Sequence, residues 1–305
     1  MRERLILHAS YPKTGSTLLA DLLRRVDMNH DEISVEQFTF LKNKNNFRVR
    51  ANAHRQTLIL KTHFTFGDWR RASWKAREQR PAELSFLEQH LPFHEDVFDN
   101  PNVEFVYVVR NPFNVLLSAI RYAKVMLREP ETLEAWQSDG RAHQFFVELL
   151  GYEEIPEIQQ FDRFETLELP ELDLERLCWR FLRSGGSIPV FDYEGAATYF
   201  QHVNYYCELF RQQIAAGKIL EYESLRAGQH HSLTMLADAW QLDLPILEQG
   251  LEEVLRIAKE KSRRPLGFYG DMTLGTPQQI KNLPSWPEMQ QHVATTCPRL
   301  ASLCG

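Results

Sequence analysis

The sequence predicts an α/β fold in three layers, with a central, mainly parallel sheet flanked by helices. Three short apolar runs are typical of buried strands: LILHAS at 5–10, TLILKTH at 57–63 and VEFVYVV at 103–109. Helical patterns separate and follow these runs, and such alternation indicates parallel pairing with helices on both faces. The chain has 305 residues, enough for a large core. We expect residues 1–305 to form a single domain.

The other elements follow from the same periodicities. KILEYES at 218–224 predicts a fourth, weaker strand. Leu19, Leu22 and Val26 recur on one face of the segment after the first strand, which predicts an amphipathic helix there. Further helices are predicted at 113–127, 171–184, 197–216, 231–241 and 246–261.

Two segments have no clear strand pattern. They cover residues 65–100, with Trp69, Trp74 and many charges, and residues 128–170, rich in Glu and aromatic residues. Long connections of this kind often carry functional loops. We expect both segments to be insertions that cover an active site.

Composition excludes several classes of protein. The net charge of -6 argues against unspecific binding of nucleic acid or anionic membranes. No run approaches the roughly 18 apolar residues of a membrane span, and no signal peptide is recognisable. The four cysteines form no CxxC pair, and neither they nor the histidines show a metal-ligand spacing. We expect a soluble, cytoplasmic protein with reduced thiols, no nucleic-acid partner and no metal.

Cationic or ionisable side chains follow the predicted strands where each strand ends. Lys13 comes after the first strand, Lys61 and His63 end the second, and Arg110 follows the third. The carboxyl ends of parallel strands meet at one edge of the sheet, where ligands of α/β proteins collect. The sequence therefore predicts an anion site at this edge.

The loop YPKTGST at 11–17 joins the first strand to the first helix. Gly15 allows a close turn of the backbone, and the amides of residues 14–17 open a helix N-terminus, where anions bind. Lys13 adds a positive charge, while Ser16 and Thr17 add hydroxyl donors. The loop is not a Walker A motif, because its lysine precedes the glycine and no GxxxxGK occurs in the chain.

Five segments resemble, in the same order, the motifs of one family. They are YPKTGST, LKTHF at 60–64, VYVVRNPFNVLLSAI at 106–120, GAATYFQHVNYY at 195–206 and ILEYESL at 219–225. Together they resemble the cytosolic-type sulfotransferases, which have a P-loop-like fold. The resemblance implies transfer of a sulfuryl group from 3′-phosphoadenosine-5′-phosphosulfate (PAPS) to a hydroxyl or amine of a small-molecule acceptor, with 3′-phosphoadenosine-5′-phosphate (PAP) as product and no metal.

The resemblance assigns catalytic roles to three residues. Lys13 and Lys61 would stabilise the leaving phosphate oxygen, where a well-aimed donor is typically worth about 3 kcal/mol. His63 would remove the acceptor proton, a role worth roughly 10²- to 10⁴-fold. A histidine, with an ordinary pKa of about 6.5, suits this task at neutral pH. Residues two apart in a strand share a face, so Lys61 and His63 can reach one pocket.

The resemblance also assigns residues that bind the donor. The loop residues would hold the 5′-phosphosulfate, and a bidentate arginine with a serine eight residues later would hold the 3′-phosphate. The tyrosine of EYESL would bind adenosine. The predicted donor-binding residues are Lys13, Thr14, Gly15, Ser16, Thr17, Leu18, Arg110, Ser118, Tyr222, Arg263 and Arg264.

The chain departs from the family pattern at three places. Leu18 stands where a tryptophan usually stacks on adenine, so adenine packing must differ or be apolar, and Asn114 replaces a common aspartate. SRRPLGFYGDM at 262–272 lacks the Arg-Lys pair of the family in register. Arg263 and Arg264 lie just upstream and would supply the missing charge. We expect residues 262–276 to form a lid loop.

Two other functions compete with sulfuryl transfer. One is a P-loop-type kinase or phosphotransferase, against which the missing Walker A lysine and metal-binding carboxylate count. The other is a non-catalytic nucleotide-binding protein of the same fold. The presence of Lys13, Lys61 and His63 counts against that alternative.

Overall fold

A computed structural model describes the greater part of the protein. The described residues are 4–26, 33–39, 46–52, 57–63, 65, 103–127, 130–155, 173–189, 191, 197–212, 218–262 and 277–304. Their contacts define two compact units. The sheet unit comprises Met1–Val109 and His202–Ile257, and the helical unit comprises Arg110–Gln201 and Ala258–Gly305.

One sheet contains the strands of the described residues. In chain order they are β1 (Arg4–Ser10), β2 (Ile33–Thr39), β3 (Asn46–Asn52), β4 (Thr57–Thr62), β5 (Val103–Val109) and β6 (Lys218–Glu221). Their order across the sheet is β2-β3-β4-β1-β5-β6. The last four strands of this order pair in parallel, whereas β3 is antiparallel to both of its neighbours. The predicted mainly parallel α/β sheet is confirmed.

Two differences from the predicted strands have physical reasons. β2 and β3 were not expected, because ISVEQFT and NFRVRAN alternate apolar and polar residues instead of forming continuous apolar runs. Alternation is typical of antiparallel strands with one solvated face. β6 ends at Glu221 rather than at residue 224, because the chain turns into a short helix that begins at Tyr222.

The helices account for most of the other described residues. They are α1 (Ser16–Val26), α2 (Pro112–Met126), α3 (Pro130–Ser138), α4 (Arg141–His143), α5 (Leu174–Arg183), α6 (Tyr199–Gln212), α7 (Tyr222–Arg226), α8 (His230–Trp240), α9 (Leu244–Ser262), α10 (Pro277–Lys281), α11 (Trp286–Thr296) and α12 (Pro298–Ala301). A π-helical segment, Gln144–Leu150, continues α4, and a 3₁₀ turn, Ser302–Cys304, follows α12. The helices predicted after the third strand correspond to α2, α5, α6, α8 and α9.

Helices cover both faces of β5 in the sheet unit. Val106 and Val108 point to one face, where they join a buried cluster with α1, α8 and α9. Tyr107 points to the other face, because side chains of a strand alternate. Its ring is fully buried and stacks on Tyr206 of α6 at 4.6 Å, and its hydroxyl shares a hydrogen bond of 2.8 Å with Nδ1 of His202. This arrangement is the predicted three-layer packing.

In the helical unit, Asn111 fixes the start of α2. Its Oδ1 accepts hydrogen bonds from the amides of Phe113 (3.0 Å) and Asn114 (3.3 Å). Its Nδ2 donates to the carbonyl oxygen of Leu303 at 2.5 Å. An asparagine at this position satisfies amides that the helix itself cannot. The same side chain thereby attaches the C-terminal turn to the start of α2.

The four cysteines form no disulfide in the structure. Cys178, Cys297 and Cys304 are buried, and Cys207 is half-buried. Burial raises the pKa of the Cys178 thiol to about 12, with a further contribution from the charge of Glu175. A thiol that stays protonated at neutral pH is a poor nucleophile.

Within the part of the chain that the structure describes, no helix is long and apolar enough to cross a membrane.

We expect Gly250→Ala to destabilise the protein, although alanine is the better helix former. A Cβ at Gly250 of α9 would lie 2.8 Å from Cγ1 of Val26 and 3.2 Å from Cδ1 of Leu22 in α1. Such overpacking costs about 1–3 kcal/mol. Urea unfolding measures the change.

The variant Val26→Ala provides the control for this prediction. In that background the crowding methyl is gone, and Gly250→Ala should become neutral or stabilising by up to about 1 kcal/mol. Equal effects of Gly250→Ala in both backgrounds would contradict the close approach of α9 and α1.

Candidate functional site

The candidate site begins at the edge where the parallel strands end. Aligned pairs at this edge are Ala9 with Thr62, Ser10 with Val108, and Val109 with Glu221. His63 directly follows β4, Tyr222 directly follows β6, and the loop with Lys13 follows β1. The sheet unit therefore brings Lys13 and His63 to one edge of the sheet, as the sequence predicted.

His63 is held by the end of the neighbouring strand. Its Nδ1 lies 2.7 Å from the carbonyl oxygen of Ser10 and 3.3 Å from the Oγ of the same residue. A carbonyl oxygen only accepts hydrogen bonds, so Nδ1 carries a hydrogen and donates it. In the neutral ring the lone pair then resides on Nε2. The half-buried imidazole is thus fixed in the tautomer in which Nε2 can accept a proton.

The loop after β1 makes a tight turn with two left-handed residues. Lys13 has a φ of 69° and Gly15 a φ of 114°. Between them, Thr14 is fully buried and donates its amide (3.2 Å) and its hydroxyl (2.6 Å) to the carbonyl oxygen of Tyr11. The left-handed region costs a lysine about 1–2 kcal/mol relative to its usual conformations. Thr14 therefore braces a turn that holds Lys13 in an unfavourable backbone conformation.

Tyr222 packs on Gly15 of this loop. A Cβ at Gly15 would overlap Cδ2 of the Tyr222 ring and lie 2.9 Å from its Cε2. The ring is half-buried and also packs against the core cluster beneath α1. Tyr222 was expected inside a strand, but it is the first residue of α7. The Tyr222 ring, just after the end of β6, thus contacts the backbone of the loop.

The first turn of α1 completes the loop. Ser16 is buried, Leu18 is half-buried, and Thr17 is exposed. No acidic residue lies in this turn. The first amides of a helix have no intrahelical acceptor, and the helix dipole favours negative charge there. Hydroxyls, amides and the Lys13 ammonium form a donor set that suits an anion such as a phosphate.

Arg110 and Ser118 belong to the helical unit. Arg110 is the first residue after β5 and is half-buried. Its amide donates to the hydroxyl of Tyr199 at 3.0 Å, and that hydroxyl donates to the carbonyl oxygen of Arg110 at 2.5 Å. Ser118 lies in the second turn of α2 and is half-buried. Both positions are compatible with the predicted contact to a 3′-phosphate, which stays a prediction.

Several predicted residues lie partly or wholly outside the described residues. Lys61 is described for its backbone, which pairs with His8 of β1 and Arg48 of β3. Arg263, Arg264 and the predicted lid after Ser262 lie outside the described residues, as does the segment 65–100 beyond Thr65. The described part of the segment 128–170, residues 130–155, is mainly helical. The roles predicted for these segments stay predictions.

Sequence reasoning missed Ser10 and Tyr199. The position of Ser10 at the end of the first strand was visible in the sequence, but its contact with His63 depends on which strands are adjacent in the sheet. Tyr199 had no signal of its own, since a tyrosine at a helix start is usually packing. Among the described residues, no group of three or more His, Cys, Asp or Glu side chains is arranged to hold a metal ion.

We expect Lys13→Gly to be more stable than Lys13→Ala by about 1 kcal/mol, because glycine adopts the left-handed conformation without strain. Urea unfolding of both variants measures the difference. The same pair of substitutions at Gln241, which has a φ of 52° and ends α8, is the matched control. An alanine variant at position 13 as stable as the glycine variant would contradict this turn.

We also expect Gly15→Ala and Tyr222→Ala to be energetically coupled. Alone, Gly15→Ala meets both the strain of a positive φ and the Tyr222 ring. Removing the ring should recover at least about 1 kcal/mol of the loss in a double-mutant cycle. Additive effects on the free energy of unfolding would contradict the contact between Gly15 and Tyr222.

Comparison with known proteins identifies the family. A search of curated proteins finds no match for this chain. The family model described as "Sulfotransferase domain" matches residues 3–260, which is most of the chain. This match agrees with the predicted P-loop-like α/β fold. The chain therefore belongs to the sulfotransferase family, whose enzymes transfer sulfuryl groups.

Proposed function

We propose that the protein transfers a sulfuryl group from PAPS to a hydroxyl or amine of a small-molecule acceptor, with His63 as general base. The hydrogen bond of 2.7 Å between Nδ1 of His63 and the Ser10 carbonyl oxygen carries this proposal. It supports the role of base because it fixes the tautomer with the lone pair on Nε2. The family match supports sulfuryl transfer as the reaction.

The chemistry of the loop fits the donor nucleotide. A 5′-phosphosulfate is an anion, and the loop offers amides, hydroxyls and an ammonium group without a carboxylate in the first turn of α1. Lys13, Gly15, Ser16 and Thr17 would hold the phosphosulfate, while Thr14 braces the turn through Tyr11. When bound, PAPS would supply the sulfuryl group that is transferred.

His63 would act on the acceptor. As the acceptor oxygen or nitrogen attacks sulfur, its proton passes to Nε2 of His63, and the Nδ1–H stays on the Ser10 carbonyl oxygen. The imidazolium that forms is stabilised because the donor bond to Ser10 strengthens when the ring is charged. The bond between sulfur and the 5′-phosphate breaks in the same displacement, which leaves PAP.

Lys13 and Lys61 would stabilise the departing nucleotide. Negative charge grows on the bridging phosphate oxygen, and an ammonium group aimed at that oxygen lowers the barrier. Lys13 is half-buried in a braced turn, which limits the reorganisation needed during the reaction. Lysines can take the part that magnesium plays in phosphoryl transfer, so we propose that the reaction needs no metal.

The other end of the donor would contact separate elements. We assign the 3′-phosphate to Arg110 and Ser118, with further charge from Arg263 and Arg264, and adenosine to Tyr222 and Leu18. The close packing of the Tyr222 ring on Gly15 supports the assignment of Tyr222.

We further propose that residues 65–100 and 128–170 shape the acceptor site and that residues 262–276 act as a lid. We also propose that the protein works in the cytoplasm.

Calorimetry with PAP tests the donor. We expect PAP to bind without magnesium, and more tightly than ATP with magnesium. Tighter binding of ATP with magnesium would overturn the proposal in favour of a kinase-like enzyme. Transfer of radiolabelled sulfate from PAPS to a panel of phenols, alcohols and amines then tests catalysis, and binding without transfer to any of them would favour the non-catalytic alternative.

The variant His63→Asn removes the proposed general base but keeps a hydrogen-bond donor to the Ser10 carbonyl oxygen. An asparagine amide can still donate to the Ser10 carbonyl oxygen but cannot accept the proton, so turnover should fall about 10²- to 10⁴-fold while PAP affinity stays within about twofold. His230→Asn, an exposed histidine at the start of α8, is the matched control. A large loss of PAP affinity in His63→Asn would contradict its role as base.

A further inference from the structure

The backbone of Arg110 is held by one side chain from a distant part of the sequence. The Tyr199 hydroxyl accepts a hydrogen bond from the Arg110 amide at 3.0 Å and donates one to the Arg110 carbonyl oxygen at 2.5 Å. These two groups belong to the peptide units on either side of the Arg110 Cα. Fixing both units restricts φ and ψ of Arg110 and therefore the direction of its Cα–Cβ bond.

Tyr199 is itself immobilised. Its side chain is fully buried. Its amide donates to the carbonyl oxygen of Gly186 at 3.3 Å, and the next amide, of Phe200, donates to that of Gly185 at 3.2 Å. The two glycines have φ values of 71° and 76° and form the turn after α5. The first residue of α6 is thus attached to a turn of fixed shape.

The segment after Arg110 is restrained as well. Asn111 is buried, caps α2 through Oδ1 and donates through Nδ2 to the Leu303 carbonyl oxygen. The chain between β5 and α2 is therefore held at consecutive residues by side-chain hydrogen bonds. This restraint fixes the backbone from which the half-buried Arg110 side chain projects.

We propose that Tyr199 is a positioning residue for the 3′-phosphate subsite: its hydroxyl holds the Arg110 backbone so that the guanidinium is aimed at the 3′-phosphate of the donor. This inference rests on the proposed function, which assigns the 3′-phosphate to Arg110. Binding groups need support of this kind to keep their geometry within a few tenths of an ångström. Tyr199 contributes to specificity for a 3′-phosphorylated nucleotide without touching it.

Calorimetry of PAP and adenosine 5′-phosphate tests the inference, because the two nucleotides differ only in the 3′-phosphate. The ratio of their affinities therefore reports how much the 3′-phosphate, which we assign to Arg110, contributes to binding. Tyr199→Phe removes the hydroxyl that holds both peptide groups of Arg110, so it should lower PAP affinity about three- to tenfold and change adenosine 5′-phosphate affinity less than about twofold. In the Arg110→Gln background, Tyr199→Phe should leave the ratio unchanged.

Tyr107→Phe is the matched control for the hydroxyl. Tyr107 is also fully buried, and its hydroxyl is hydrogen-bonded to His202 rather than to Arg110. Thermal unfolding reports the stability of each variant. Tyr107→Phe should lose stability but keep the affinity ratio.

A second pair of variants leaves the Tyr199 hydroxyl in place. Gly185→Ala and Gly186→Ala introduce the same kind of positive-φ strain. The new Cβ at Gly186 would lie 3.2 Å from Cβ of Tyr199 and 3.0 Å from Cδ1 of Phe200, whereas the Cβ at Gly185 would meet Thr198 Oγ1 at 3.4 Å. Gly186→Ala should therefore lower the ratio more than Gly185→Ala. If Tyr199→Phe does not fold, the two glycine variants test the inference in its place.

The outcomes separate the inference from the proposed function. If the wild-type protein does not prefer PAP, or if Arg110→Gln keeps the preference, the assignment of Arg110 fails. If the wild-type protein prefers PAP, Arg110→Gln abolishes the preference and Tyr199→Phe retains it, the inference about Tyr199 is overturned. A drop in both affinities equal to that of Tyr107→Phe would likewise overturn it, because it would reflect stability alone.

Discussion

The parallel pairing of β1 with β4 and β5 is the constraint on which the candidate site depends. Because these strands run in the same direction and in register, Ser10 at the end of β1 lies beside the residue that follows β4. That residue is His63, and the Ser10 carbonyl oxygen accepts the hydrogen of its Nδ1. A shift of one residue in this pairing would turn the imidazole to the other face of the sheet. The register of the sheet thus sets the protonation geometry of the proposed base.

The loop after β1 shows a second constraint, which acts through the backbone. Lys13 is held in a left-handed conformation that a lysine seldom adopts, and Thr14 holds that turn by donating twice to Tyr11. Such strain persists only where surrounding contacts determine the backbone. Tyr222 adds one of these contacts on Gly15. The positions of Lys13 and of the Tyr222 ring therefore depend on the same few loop residues.

Hydroxyl and carbonyl groups of the scaffold orient the proposed functional residues, His63 in the sheet unit and Arg110 in the helical unit. In the sheet unit, a carbonyl oxygen at the end of a strand selects the tautomer of His63. In the helical unit, a buried tyrosine hydroxyl fixes both peptide groups of Arg110. The partners in these hydrogen bonds, a carbonyl oxygen and a tyrosine hydroxyl, are uncharged. These particular hydrogen bonds therefore leave the net charge around the two residues unchanged.

The sequence by itself determined the α/β class, the strands β1, β4 and β5, and the loop chemistry around Lys13 and Gly15. These features depend on local patterns: continuous apolar runs, helical periodicity, and a glycine beside hydroxyl residues at a helix start. It did not reveal β2 and β3, whose residues alternate between apolar and polar instead of forming continuous apolar runs, nor that Tyr222 begins a helix. Only the tertiary structure decided the contacts of His63 with Ser10, of Tyr222 with Gly15 and of Tyr199 with Arg110. Each joins residues far apart in the chain, and no local pattern encodes which distant partner the packing of strands and helices will bring into hydrogen-bonding range.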